Sequence, residues 1–385
     1  MLLPLMKNTC LKFSIPGSLV SLLRRSPWLF AARLGVAALP GFFAFTTSTA
    51  AEDVKPYKVI KTTQIMGNGG IDYLYADSDE RRLYVPRGNE VLVFDLDTLK
   101  AVGTIPNARA RGVAVDPQSH HGFCSSSPVV MWDSKTLQTI KTIPVQGRPD
   151  AIYFDPETAQ VFVFSHAAPN ATVLSAADGS VVGTIDLGGA PEQAASDGAG
   201  HLYVNLEDKS QIAVVDLKTL KVTARYDLAG KGGEPTGLGL DAKNHVLFAM
   251  CREPQTCVVV SALDGKVLAA LPIGRGADSG GFNPATMEAF SSQGDGTLTI
   301  IKEKDPTSFE VEQTVQTKPR ARTSTLDTKT GNIILITTEP APAASPSGSA
   351  GAVASAPPEQ PTGGRRGGGG ENGPSLLDIL VVGRE

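Results

Sequence analysis

One phrase of this sequence returns seven times. Taking the residue that closes an apolar run as anchor, the copies fall at Asp77, Asp116, Asp155, Asp197, Asp241, Asn283 and Asp327, spaced 39, 39, 42, 44, 42 and 44 residues apart. Each anchor is followed by a polar turn and a second apolar run such as RLYV, QVFVF, HLYV, HVLFAM or NIILI. Most copies add a third run (VLVFDL, VVMWD, IAVVDL) and a fourth (AVGTI, VVGTI, VTARY). Apolar runs this short, bounded by turn residues, have the length of strands. With the run before the anchor (RGVAV, DAIYF, TGLGL) they make four strands per unit. A period near 42 with four strands is the signature of a propeller blade. The expected fold is therefore all-β, a seven-bladed β-propeller of four-stranded blades. Forty glycines and twenty-seven prolines among 385 residues suit many turns and few helices.

The ends of the chain sharpen this reading. YKVIKTTQI at 57–65 matches a fourth strand with no strands before it, whereas the last unit has TSTL, NIILITT and LLDILVV (376–382) but lacks a fourth. The N-terminal strand is expected to complete the last blade, closing the ring and removing the exposed edges of an open row of sheets. Between NIILITT and LLDILVV stands an insertion at 339–374, of which 27 of 36 residues are Ala, Gly, Pro or Ser. Such a segment buries no core and is expected to be disordered. Its length adds roughly 2 kcal/mol of closure entropy. Burial of Leu377, Ile379 and Val381 outweighs that at about 1.5–3 kcal/mol each. The propeller is thus assigned to 51–338 and 375–385.

Residues 1–50 differ from the rest. Lys7, Lys12, Arg24, Arg25 and Arg33 precede the apolar run LGVAALPGFFAF, then Ser48-Thr49-Ala50, with no acidic residue. That order reads as a secretory signal peptide cleaved after Ala50, its apolar run too short to span a bilayer. The expected location is periplasmic or extracellular, with no membrane span after cleavage. Removal of five basic residues leaves 30 Lys and Arg against 39 Asp and Glu, a net charge of −9. This lacks the basic footprint of a duplex nucleic-acid binder. In an oxidising compartment Cys251 and Cys257, flanking the turn REPQT, are expected to form a disulfide. Cys124 is expected to be a buried apolar residue.

GRPDAIYFDPETAQVFVF at 147–164, and LYVN at 202–205 with VVDLKTLKV after it, resemble the YVTN-repeat (YncE-like) family of seven-bladed propellers. The resemblance runs from about residue 57 to the end, although the tetrapeptide is degraded in most units, as in Tyr84-Val85-Pro86-Arg87. It implies an exported scaffold more than any particular reaction.

In such a ring the loops entering the innermost strands crowd one mouth of the central channel. Five residues before each anchor stand Asp72, Arg111, Asp150, Glu192, Thr236, Asp278 and Arg322, all polar. Two positions further back, Arg109, Arg148 and Arg320 add cations in three units. The expected ligand-binding set is Asp72, Arg109, Arg111, Arg148, Asp150, Glu192, Asp278 and Arg322. Arginine binds carboxylate or phosphate bidentately, so a zwitterionic or charged ligand would fit. The competing reading is that these groups pair with one another between blades. The next inward residues Gly112, Ala151, Gly237 and Ser279 are small, as crowding at the axis demands.

His120, His201 and His245 each lie four residues after an anchor, in separate blades, and His166 lies on the side of the polar circle. With no ligand spacing beyond adjacent His120-His121, the histidines read as structural or solvated, and no metal or cofactor is expected. Calcium held by Asp72, Asp150, Glu192 and Asp278 is the one cation alternative. The sequence has no Gly-x-Ser-x-Gly elbow, phosphate loop or dinucleotide fingerprint. Two functions remain. The first is an exported, monomeric binding or scaffold protein for a small-molecule, peptide or glycan ligand. The second is a propeller enzyme of lactonase, lyase or dehydrogenase kind, with acid and base drawn from the circle. A scaffold would show the circle mutually paired; an enzyme would hold off a titratable pair with shifted pKa.

Overall fold

What the seven anchors share is a turn. In each, a side-chain oxygen of the Asp or Asn accepts a hydrogen bond from a backbone N–H two to four residues on, at 2.8 to 3.3 Å. A short acceptor at that place satisfies donors that the turn would otherwise leave unpaired. A second device closes the outer hairpin. Asp95, Asp133 and Asp216 accept from the N–H of Thr98, Thr136 and Thr219 at 2.8, 2.7 and 2.7 Å. The next residues, Leu99, Leu137 and Leu220, take the left-handed conformation at φ 59°, 60° and 54°. Leucine tolerates that strain here because Leu99 and Leu137 are buried in the core.

The computed structural model describes residues 55–168, 170–341 and 374–384. They form seven four-stranded antiparallel sheets arranged as a β-propeller. Blades 1 to 6 span 75–106, 113–143, 149–185, 191–227, 233–272 and 277–316, each in chain order from the axis outward. Blade 7 joins Thr323–Asp327, Asn332–Pro340, Pro374–Gly383 and, outermost, Lys58–Asn68. Thr62 pairs with Leu380 and Ile65 with Leu377, so the first strand closes the ring as the half-repeats predict. The leader expected at 1–50, and all but the ends of the insertion expected at 339–374, lie outside the described residues. The flanking strands reach Pro340 and resume at Pro374, slightly further than the sequence boundaries.

Between every two neighbouring blades lies one apolar layer, seven in all. Strand alternation feeds both sides of each blade: Ile334 and Ile336 face blade 1, whereas Ile333 and Leu335 face blade 6. The innermost strands of blades 5 and 6 approach so closely that a Cβ on Gly237 would lie 2.5 Å from the Gly280 nitrogen. That is why the position is small. Among the described residues no helix is long and apolar enough to cross a membrane.

The same alternation overturns the expected disulfide. Cys251 pairs with Thr256 and Cys257 with Met250, so the two side chains point to opposite faces of blade 5. Cys251 packs toward blade 4 and Cys257 toward blade 6. Both are free and buried, and burial pushes the Cys251 thiol up to about 12. The turn at Pro254-Gln255 brings the strands together, but register decides the face.

Candidate functional site at the channel mouth

The polar circle sits on irregular backbone. In blades 3 to 6 the innermost strand slips register at equivalent places: between Pro149 and Ile152, Pro191 and Ala194, Pro235 and Gly237, and Ala277 and Ser279. Asp150, Glu192, Thr236 and Asp278 lie within these slips. An irregularity of this kind re-aims a side chain out of the alternating pattern.

The circle resolves into two groups. Across blades 1 to 4, Arg111 Nη1 donates to Asp72 at 3.0 Å and stands 3.6 Å from Asp150 Oδ1. His166 Nε2 lies 3.4 Å from both Asp150 Oδ2 and Glu192 Oε1. The Tyr73 hydroxyl donates to Glu192 Oε2 at 2.5 Å, reaching across the channel from blade 1 to blade 4. Across blades 4 to 7, Arg252 bridges Glu207 and Asp278, and Arg322 Nε meets Asp278 Oδ2 at 3.1 Å. Thr236, fully buried, turns away and donates to backbone carbonyls, including that of Ala277 at 3.1 Å.

Negative charge is crowded here. Burial, and then the neighbouring Asp150 carboxylate, push the Asp72 carboxyl up to about 7 against the opposing pull of Arg111. Burial also raises Asp150 and Asp278. Glu192 is held below its usual range despite burial, because the nearby His166 imidazole and the Tyr73 hydroxyl, which donates to it, favour its charged form. His166 is raised chiefly by the nearness of the Glu192 carboxylate.

Of the eight predicted site residues, six meet at the mouth: Asp72, Arg111, Asp150, Glu192, Asp278 and Arg322. Arg109 and Arg148 stay exposed on the rim, with no side-chain ion pair among the described residues. The sequence reading missed Tyr73, Glu207 and Arg252 and read His166, placed on the circle's side, as structural or solvated. A periodic signal for three of them exists. Ser165, Leu206 and Cys251 pair with the prolines that precede the circle residues, and His166, Glu207 and Arg252 each follow one position later. They form a second arc, contributed by the end of the next strand out and the residues just after it. Tyr73 and Gln193 occupy the inward positions that are small elsewhere. Gln193 Oε1 accepts from the N–H of Leu238 and Gly280 at 3.2 and 3.1 Å, tying blade 4 across to blades 5 and 6. Beyond them a channel cavity of about 550 Å³ continues toward Asp77, Pro117 and Thr328.

No protein-family description and no curated protein sequence matches the chain. Solved structures do. A chain of the mitotic checkpoint complex superposes with a TM-score of 0.64 at 11% identity, covering 81% of this chain and 96% of that one. The RRP9 WD40 repeats give 0.64 at 10% identity, covering 74% and 92%. U3-55K gives 0.63 at 10% identity, covering 73% and 92%. The chain therefore shares its fold with WD40-repeat propellers, and at these identities the likeness extends to the fold alone.

Proposed function

We propose that the protein is an exported binding propeller of the YVTN-repeat (YncE-like) kind, whose channel mouth takes up a positively charged group of a small molecule or peptide. One observation carries the reading. Five carboxylates, Asp72, Asp150, Glu192, Glu207 and Asp278, face three arginines, Arg111, Arg252 and Arg322, and each arginine is already engaged. The sequence reading gave the arginines the carboxylate or phosphate of a zwitterionic or charged ligand. Their engagement instead leaves the spare capacity on the acidic side. The mutual pairing is the arrangement expected of a scaffold, and exposed Arg109 and Arg148 outside the circle suit a zwitterion that enters ammonium first. The leader-like pattern of residues 1–50 supports export. Neighbours that include a chain of a multi-protein complex support a partner-binding role for the rim.

The test is a thermal-shift series with spermidine and arginine amide against triacetylspermidine and acetate. The cationic probes should raise the melting temperature and the others should not, and Glu192→Gln should remove the response. Stabilisation by acetate alone would refute the reading.

A further inference from the structure

We propose that Asp150, His166 and Glu192 form a divalent transition-metal site of the zinc class. The inference rests on the reading of the mouth as cation-seeking and names the cation that one half of it is shaped for.

Three ligand atoms converge: Asp150 Oδ2, His166 Nε2 and Glu192 Oε1 all lie within 4.8 Å of one another. The imidazole nitrogen is 3.4 Å from each carboxylate oxygen. A charge-assisted hydrogen bond would close to about 2.7–2.9 Å. By contrast, two ligands each about 2.1 Å from a tetrahedral zinc stand about 3.4 Å apart. The donors are thus spread around a gap of metal size and are not closed upon one another.

The oxygens that do not converge are tied back. Tyr73 holds Glu192 Oε2 at 2.5 Å, and Arg111 stands 3.6 Å from Asp150 Oδ1. Outer partners of this kind orient ligating groups at metal sites and leave one oxygen of each carboxylate for the ion. The buried Glu192 and half-buried Asp150 form the inner wall, while His166 is exposed and leaves the solvent side open for a water or a ligand donor. An imidazole beside two carboxylates suits first-row ions such as zinc or manganese, whereas calcium prefers six to eight oxygens. Sequence spacing gave no hint of the site because its donors come from two neighbouring blades and 42 residues of chain.

The experiment is isothermal titration of the chelator-stripped full chain with Zn²⁺, repeated with Mn²⁺ and Ca²⁺. One zinc per chain is expected, with affinity falling at least 100-fold in His166→Ala and Glu192→Gln. Tyr73→Phe, which touches no metal, should weaken it roughly 10-fold through the outer shell. His201→Ala should leave it unchanged. Circular dichroism melts confirm that each variant is folded. Absence of zinc binding, zinc affinity indifferent to His166→Ala, or preference for Ca²⁺ over Zn²⁺ would overturn the assignment. If zinc fails to bind while spermidine still stabilises the protein, the metal site falls and the cation-seeking mouth stands; if neither binds, both fall.

Discussion

A ring of seven polar residues stands near each end of the channel, and the two rings obey different rules. Toward one end Asp77, Asp116, Asp155, Asp197, Asp241, Asn283 and Asp327 are nearly identical, and each accepts hydrogen bonds from its own turn. At the mouth Asp72, Arg111, Asp150, Glu192, Thr236, Asp278 and Arg322 differ from blade to blade, and most bond to residues of other blades. A demand that every blade makes alike, such as satisfying a turn's N–H groups, yields uniform repetition. Variation on a common backbone position marks places where the fold leaves the side chain free to differ. Uniformity therefore reports folding, and variation at equivalent positions reports the site.

Both rings presuppose the closed circle, so the largest effect should come from opening it. Removing 374–385 withdraws Leu377, Ile379, Leu380 and Val382, all at most 1% exposed. At about 1.5–3 kcal/mol each, these four side chains alone approach the whole stability of an ordinary domain. The truncated chain should lose its cooperative melt by circular dichroism. A melting curve like that of the intact protein would refute closure by Lys58–Asn68.

One anchor breaks the uniformity and supplies the next effect. Asp241 lies beside Glu303, and each keeps a buried carboxyl oxygen without a hydrogen-bond partner. Burial first, and then Asp241, push Glu303 up from 4.5 to about 7. A carboxyl that holds its proton in the folded state stabilises below its unfolded pKa, and that stability is lost as pH rises through the folded value. The unfolding free energy from urea melts should therefore fall between pH 4.5 and 7, by at most about 3 kcal/mol. Glu303→Gln should flatten that slope. A slope of the opposite sign at Glu303 would show that the pair is ionised throughout.

At an ordinary anchor the cost should be smaller and of another kind. Asp155 accepts from the N–H of Thr158 at 2.9 Å and from its hydroxyl at 2.6 Å. Asp155→Ala should cost about 1–2 kcal/mol, comparable to losing a helix cap. Asp155→Asn should cost less, since Asn283 does the same work in blade 6. Equal losses for the two variants would show that charge, and not the acceptor, holds the turn.

The fold was legible because its demands repeat: turn acceptors, alternating apolar runs and one missing strand each recur or fail at a fixed period. The mouth was half legible. Circle positions follow from the anchor register, but their partners do not. Arg252 and Glu207 come from the end of the next strand and the turn after it, and Tyr73 reaches Glu192 over 119 residues of chain. Which arginine meets which carboxylate depends on how side chains lean between neighbouring blades, and no local pattern encodes that. The cysteines fail for a related reason: six residues of separation suggests a hairpin, but only the register shows that their faces oppose.

The smallest stability effect, and the sharpest test of the two-ring contrast, lies with Arg111 and Arg322. Their side chains are 52% and 55% exposed, and buried Asp278 keeps Arg252 when Arg322 is lost, so each pair should contribute about 0–1 kcal/mol. Replacing both with alanine should barely move the melt, in contrast to Asp155→Ala. Ligand binding separates the readings further. If the mouth holds anions through arginine, the double variant loses its ligand. If the carboxylates are the receptors, removing Arg111 and Arg322 leaves Asp72 and Asp278 with fewer competing cations, and spermidine should bind more tightly by calorimetry. A double variant that loses several kcal/mol of stability would make the varied ring a clamp between blades, and variation at equivalent positions would then report packing as well as site.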